Sequence, residues 1–142
     1  MKKLHKIGAE DFSFSLGVKF GSHGNGYSQC SLEVTPNMLN VYQVLHGGVI
    51  YTMVDTGMGA ALATLLKNNE ICATIEIKIN YFQTVSSGSL MAESKVVHKG
   101  NKVAALVSEV KDGEGKLIAM ASGSFYIARE TDNFSIRSKS RE

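Results

Sequence analysis

Between Gly47 and Leu66 the chain runs twenty residues with one charged side chain, Asp55, and no proline. That length approaches what a helix needs to cross a bilayer. Four glycines (Gly47, Gly48, Gly57 and Gly59) and the mid-run carboxylate argue against a membrane span. A helix apolar on nearly every side belongs instead in a domain interior. Met53, Val54, Met58, Ala60, Ala61, Leu62, Leu65 and Leu66 suit that burial, and Lys67-Asn68-Asn69-Glu70 supplies a polar stop. One long core helix is therefore expected over residues 46–67.

Beyond the helix the hydrophobic period shortens to two. Ile75-Glu76-Ile77-Lys78-Ile79-Asn80-Tyr81 alternates apolar and polar, which predicts a half-buried strand. Turn-forming stretches at 86–89, 99–102 and 111–116 then separate strands over 90–98, 103–110 and 117–128. Four consecutive strands on short turns predict an antiparallel meander. Upstream, 14–20 and 26–35 read as a strand pair about Gly21-Ser22-His23-Gly24-Asn25, with 36–45 as a linker and 129–142 as a loose, polar C-terminal tail. At 142 residues and 44% apolar, the chain suits a single domain, 1–142, with a sizeable core. Two strands, one helix, then four strands predict an α+β fold: a curved antiparallel sheet wrapped around a central helix.

Composition excludes several functions. A net charge of +2 is too small for a dedicated nucleic-acid or membrane-surface binder. The cysteines, Cys30 and Cys72, form no C-x-x-C, and the four histidines have no metal-ligand spacing, so no metal site is expected. The basic start, Met1-Lys2-Lys3-Leu4-His5-Lys6-Ile7-Gly8, lacks the apolar run of a signal peptide, which makes a cytoplasmic location the expectation. There is no P-loop and no G-x-S-x-G. Gly57-Met58-Gly59 begins like a dinucleotide fingerprint but lies inside the helix, where close packing is the better reading. Asn133-Phe134-Ser135 matches a glycosylation sequon by chance.

What remains is His46-Gly47-Gly48 at the helix start and Asp55 two turns on. The glycines suit a tight turn. They equally suit a ligand approaching the bare N–H groups at a helix N-terminus, where the macrodipole would stabilise an oxyanion. A carboxylate in an apolar helix costs several kcal/mol unless paired. Asp55 therefore either bonds a nearby hydroxyl, faces a subunit interface, or takes a proton as a general base. Thr74 opens the strand after the helix, a common place for a β-branched residue. Lys99, Asn101 and Lys102 make a basic turn that is either solvated or receives phosphates. Lys78 and Asn80 share one polar strand face that either meets water or lines a groove.

Together these residues resemble the hot-dog-fold acyl-CoA thioesterases of the phenylacetic-acid-degradation type. Their pattern is approximately N-x-x-G-x-x-H-G-G-x-x-x-x-x-x-D, and Asn40, His46-Gly47-Gly48 and Asp55 match it. The strand 74–82, Gly88-Ser89-Leu90, Gly100-Asn101 and Gly115-Lys116-Leu117-Ile118-Ala119 extend the likeness over roughly residues 14–128. One departure is clear: Gln43 stands where the family has glycine, so the loop ahead of the helix is expected to be shaped differently. The resemblance implies hydrolysis of an acyl-CoA to free acid and CoA, with no cofactor beyond the CoA thioester that is the substrate. It implies that the Gly47 N–H polarises the thioester carbonyl and that Asp55 is nucleophile or general base. Asn40 and His46 would support the thioester or the attacking water, and Thr74 would orient that water. Gly48, Asn80, Phe82, Lys99, Gly100, Asn101 and Lys102 would hold the CoA.

Helix arithmetic adds an expectation about assembly. Eight residues separate Gly47 from Asp55, about 12 Å along an axis and roughly 80° around it. One reacting carbonyl cannot easily reach both. A homodimer with antiparallel central helices would set Gly47 of one chain against Asp55 of the other, as the resemblance also implies, with a tetramer as a dimer of dimers. Two rivals are weaker. A non-catalytic acyl-CoA-binding module has no need of Asp55, and a hot-dog dehydratase needs a paired Asp–His signature that is missing. Tyr51, Met53, Met58 and Phe82 would serve an aromatic or a medium-chain acyl group alike.

Overall fold

The structure is a computed structural model that describes residues 11–129. In chain order its elements are a one-turn helix α1 (Phe12–Ser15), strands β1 (Lys19–Gly24) and β2 (Tyr27–Glu33), a 3-10 turn (Pro36–Met38), helix α2 (Gly47–Ala63), and strands β3 (Glu70–Tyr81), β4 (Ser89–Lys99), β5 (Val103–Asp112) and β6 (Leu117–Arg129). The six strands form one sheet in the order β1-β2-β4-β5-β6-β3, with every neighbouring pair antiparallel. Helix α2 packs on one face, against β2, β3, β4 and β5. This is the hot-dog architecture that the resemblance implies.

The meander is shorter than expected. β4, β5 and β6 follow one another, but β3 pairs with β6 and lies at the sheet edge. The connection over 82–88 is too long for a tight hairpin. It is tied elsewhere instead: Val85 O accepts from Leu45 N–H at 2.6 Å and Gly88 O from Val34 N–H at 2.9 Å. The chain is thereby carried from the β3 edge to a place beside β2.

Other boundaries move for local reasons. Residues 12–15 are helical because Asp11 caps them, its carboxylate accepting from Phe14 N–H at 2.8 Å and Ser13 Oγ at 2.6 Å. The first hairpin turns at Asn25-Gly26, both at positive φ (52° and 77°), so Gly21–Gly24 belongs to the strand. Such a turn matches strand twist, and Asn-Gly is its strongest short signal. Helix α2 stops at Ala63, with Thr64 as its C-terminal cap; the Thr64 hydroxyl donates to Ala61 O at 2.7 Å and accepts from Gly26 N–H at 2.8 Å. β3 begins at Glu70, buried at 2% exposure, whose carboxylate accepts the Lys67 N–H at 2.8 Å. The expected tail overlaps β6 by one residue, Arg129, and otherwise lies outside the described residues, as does Asn133.

The core lies between α2 and the sheet. Met53, Val54, Met58 and Leu62 are fully buried against Cys30, Leu90, Leu106, Val110 and Phe125. Truncating a buried residue of this kind to alanine typically costs about 2–5 kcal/mol. The contact is close because small residues face Gly57. A Cβ there would lie 2.9 Å from Ser94 Oγ, and Ser28 Oγ donates to Gly57 O at 2.5 Å. Gly57 is thus a packing glycine. The helix is not covered all round by its own chain, however. Tyr51 is exposed, and Thr52, Asp55, Thr56 and Gly59 are half-buried. Among the described residues no helix is long and apolar enough to cross a membrane.

Candidate active site

The loop before α2 is closed by its own polar groups. Asn40 Oδ1 accepts from Tyr42 N–H at 2.9 Å and Val44 N–H at 3.4 Å, while Asn40 N–H donates to Val44 O at 2.8 Å. Gln43 holds φ +61°, a left-handed conformation that glycine takes without steric cost. His46 then caps the helix, with Nδ1 accepting from Gly48 N–H at 2.8 Å. An accepting Nδ1 requires the ring proton on Nε2. Gly47 is the first helical residue, and its N–H has no acceptor among the described residues. One donor at the positive end of a seventeen-residue helix is therefore left available.

Asp55 sits two turns on, and Thr74 Oγ1 donates to its Oδ1 at 2.5 Å. The β3–β6 register shifts between Thr74 and Glu76, leaving Ile75 as the extra residue of a bulge, 55% exposed. Bulges re-aim side chains and are frequent beside active sites. Cys72, on the same strand, is no rival nucleophile. Burial first, then the charge of Asp55, pushes its thiol up to about 11, so it is protonated at neutral pH.

The structure therefore gathers these residues into two separate groups. Asn40, His46, Gly47 and Gly48 form one at the start of α2. Asp55 and Thr74 form the other, about 12 Å further along the helix axis. The anticipated CoA residues are also split. Asn80 pairs with Met120 and is followed closely by Phe82, whereas Lys102 O accepts from Ile127 N–H at 2.7 Å, seven residues further along β6. That separation is roughly 23 Å. The hairpin of Lys99, Gly100, Asn101 and Lys102 is tight, since a Cβ at Gly100 would lie 2.9 Å from Val103 O.

Three residues that the sequence does not mark as site residues stand at these places. Tyr81 OH donates to Gly47 O at 2.8 Å. Tyr126 and Arg129, with Asn101, Lys102 and Ile127, line a depression of about 310 Å³ beside the basic hairpin. An aromatic closing a strand or an arginine ending one carries no periodic signal; only the strand register reveals their partners. Among the described residues no three His, Cys, Asp or Glu side chains cluster as a metal ion would require.

Known proteins share this fold and much of this sequence. Residues 42–119 match the thioesterase superfamily. A Saccharolobus solfataricus protein named "Putative esterase SSO2140" is 42% identical over 130 residues, 91% of each chain. The 1,4-dihydroxy-2-naphthoyl-CoA hydrolase of Listeria monocytogenes is 23% identical over 107 residues, 75% of this chain and 87% of that one. In fold, the chain superposes on the E. coli PaaI protein from the phenylacetic acid degradation operon with a TM-score of 0.81, at 23% identity, over 88% of this chain and 90% of that one. With its family pattern matched over more than half of its length and a relative 42% identical over 91% of each chain, this chain belongs to the thioesterase superfamily.

Proposed function

We propose that this thioester hydrolase acts on acyl-CoA, and that its active site is completed by a second copy of the chain. The observation that carries the reading is the pair of half-sites: a free oxyanion donor at Gly47, and a carboxylate at Asp55 already bonded to the Thr74 hydroxyl. The Gly47 N–H binds the thioester oxygen, and negative charge builds on that oxygen as the carbonyl carbon is attacked. The attacking oxygen belongs to water that gives its proton to Asp55, or to Asp55 itself with water opening the resulting anhydride. In either case the C–S bond breaks, CoA leaves as thiolate and takes up a proton, and the acid is released. Thr74 holds one carboxylate oxygen and leaves the other for the reaction, while His46 and Asn40 shape the loop against which the thioester lies. No metal or prosthetic group enters these steps.

The assembly follows from the exposed side of α2 and the edge position of β3. An edge strand twelve residues long presents unpaired backbone groups along one side. Pairing β3 with its copy across a two-fold axis continues the sheet and covers Tyr51 and Ile75. It also turns the helices antiparallel, so that Gly47 of one chain faces Asp55 of the other. Val103, Val107 and Met120, exposed on the face turned from α2, support a further pairing into a tetramer.

The CoA nucleotide lies at the basic hairpin, where Lys99, Lys102 and Arg129 offer charge for its phosphates. Asn80 and Phe82, at the far end of β3, line the acyl and pantetheine side. The spacing from Asn40 to Asp55 supports the reading of a phenylacetic-acid-degradation type. The test is thiol release from a panel of phenylacetyl-, benzoyl-, hexanoyl- and decanoyl-CoA by the full chain. Hydrolysis of at least one of these is expected; binding of these esters without thiol release overturns the reading.

A further inference from the structure

We infer that Tyr81 is a positioning residue for the oxyanion donor, holding the Gly47–Gly48 peptide so that the Gly47 N–H is presented in one orientation. The inference rests on the reading of Gly47 just given and adds a residue to it.

It starts from a difficulty in that reading. An oxyanion donor works because its direction is set before the reaction. Gly-Gly is the dipeptide least able to set a direction, since neither residue has a Cβ to restrict its backbone. It stands moreover in the first turn of α2, where N–H groups lack intrahelical partners. Something outside the helix must hold it.

Two contacts converge on the single peptide group between Gly47 and Gly48. Its N–H donates to His46 Nδ1 at 2.8 Å, and its carbonyl oxygen accepts from Tyr81 OH, also at 2.8 Å. The first anchor comes from the cap residue itself, so it moves with the helix end. The second comes from the last residue of β3, which is paired with Ala119 of β6 and so belongs to the sheet. Tyr81 therefore refers the helix start to the rigid part of the fold.

The ring adds a steric clamp. A Cβ built on Gly47 would lie 3.2 Å from both Cζ and OH of Tyr81, so the phenol occupies the space that any side chain at 47 would need. Glycine at this position and tyrosine at the strand end are one arrangement. The hydroxyl keeps its proton for this bond, since burial and, next, the neighbouring Tyr51 raise its pKa above the ordinary phenol value. Neither bond to this peptide uses the Gly47 N–H.

The experiment compares Tyr81→Phe with Gly47→Pro in the full chain, measuring thiol release on whichever panel ester the native protein turns over fastest. Tyr81→Phe keeps the ring and removes the hydroxyl. It is expected to lower kcat about five- to tenfold while KM stays within about twofold and the melting temperature within a few degrees. In 15N-labelled protein the Gly48 amide, whose bond to His46 Nδ1 belongs to the held peptide, should also exchange with solvent several-fold faster, a readout independent of activity and of the substrate chosen. A merely structural tyrosine would change melting temperature without this split between kcat and KM. Native kcat with an unchanged Gly48 amide in Tyr81→Phe overturns the inference. If Gly47→Pro, folded, retains full activity, the oxyanion reading itself fails, whatever Tyr81→Phe does.

Discussion

Thr74 Oγ1 lies 2.5 Å from Asp55 Oδ1, a bond that joins the helix to the edge strand just before the Ile75 bulge. It satisfies the one carboxylate of an otherwise uncharged helix and leaves that carboxylate half-buried on the side of α2 its own chain does not cover. Asp55→Asn keeps the shape and the Thr74 partner but removes the charge. Turnover is expected to fall at least about a hundredfold with acyl-CoA binding retained, as steady-state kinetics and titration with a non-hydrolysable CoA thioether would show. Thr74→Val, which leaves Asp55 without its donor, should cost about tenfold in kcat. Near-native turnover in Asp55→Asn would place the chemistry elsewhere.

The separation of the half-sites gives a test by complementation. Asp55→Asn and Gly47→Pro should each be nearly inactive alone, and should partly rescue each other when refolded together. Gly47 is the first residue of α2, a position where proline is tolerated, and His46 before it already has the extended φ and ψ that proline demands. Because a Cβ at 47 crowds Tyr81, Gly47→Ala serves as the control that adds the bulk and keeps the N–H. Random pairing makes half the dimers mixed, each with one intact site, so activity should return to roughly a quarter of native. Absence of rescue, with folded mixed dimers demonstrated, would rule out a shared site.

Neutralising Lys99 and Lys102 together should raise KM for CoA esters severalfold. It should leave esters of a short thiol without the nucleotide almost unchanged. Phosphate contacts made equally in ground and transition states alter binding rather than the chemical step. Equal effects on the two substrate classes would make this hairpin a solvated turn.

Gln43→Gly should stabilise the protein. The left-handed conformation at φ +61° costs a side-chain-bearing residue about 1–2 kcal/mol, whereas glycine's added freedom in the unfolded chain costs about 0.4–1 kcal/mol. The exposed side chain has no hydrogen-bond partner among the described residues, and the Gln43 N–H bond to Asn40 O is available to either residue. A gain of about 0.5–1 kcal/mol, roughly 1–4 °C in thermal melting, is expected. A lower melting temperature would show that the glutamine side chain contributes to the loop.

The central helix, the strands after it and the two polar groups on the helix, at its start and at Asp55, were legible in the residues themselves. An uncharged run with one carboxylate, a period of two, and glycines after a capping histidine are local patterns set by helix and strand geometry, and they need no distant partner to be read. The same holds in principle for the Asp11 cap, a short signal beside strand-like residues at 14–20, and for the Asn25-Gly26 turn, which closes a stretch, 21–25, that reads as turn throughout. Tertiary structure decided what depends on partners remote in the chain. β3 pairs with β6 rather than β4 because bonds from Val34 and Leu45 hold the 82–88 connection, and no periodicity within a strand encodes its neighbour. Thr74 meets Asp55, and Tyr81 meets Gly47, because β3 runs antiparallel to α2, so that each residue on the strand finds its partner on the helix through packing alone. The sequence by itself determined which polar groups stand on the apolar helix; the sheet register decided which strand residues meet them, Thr74 at Asp55 and Tyr81 at Gly47, and left one side of the helix uncovered by its own chain.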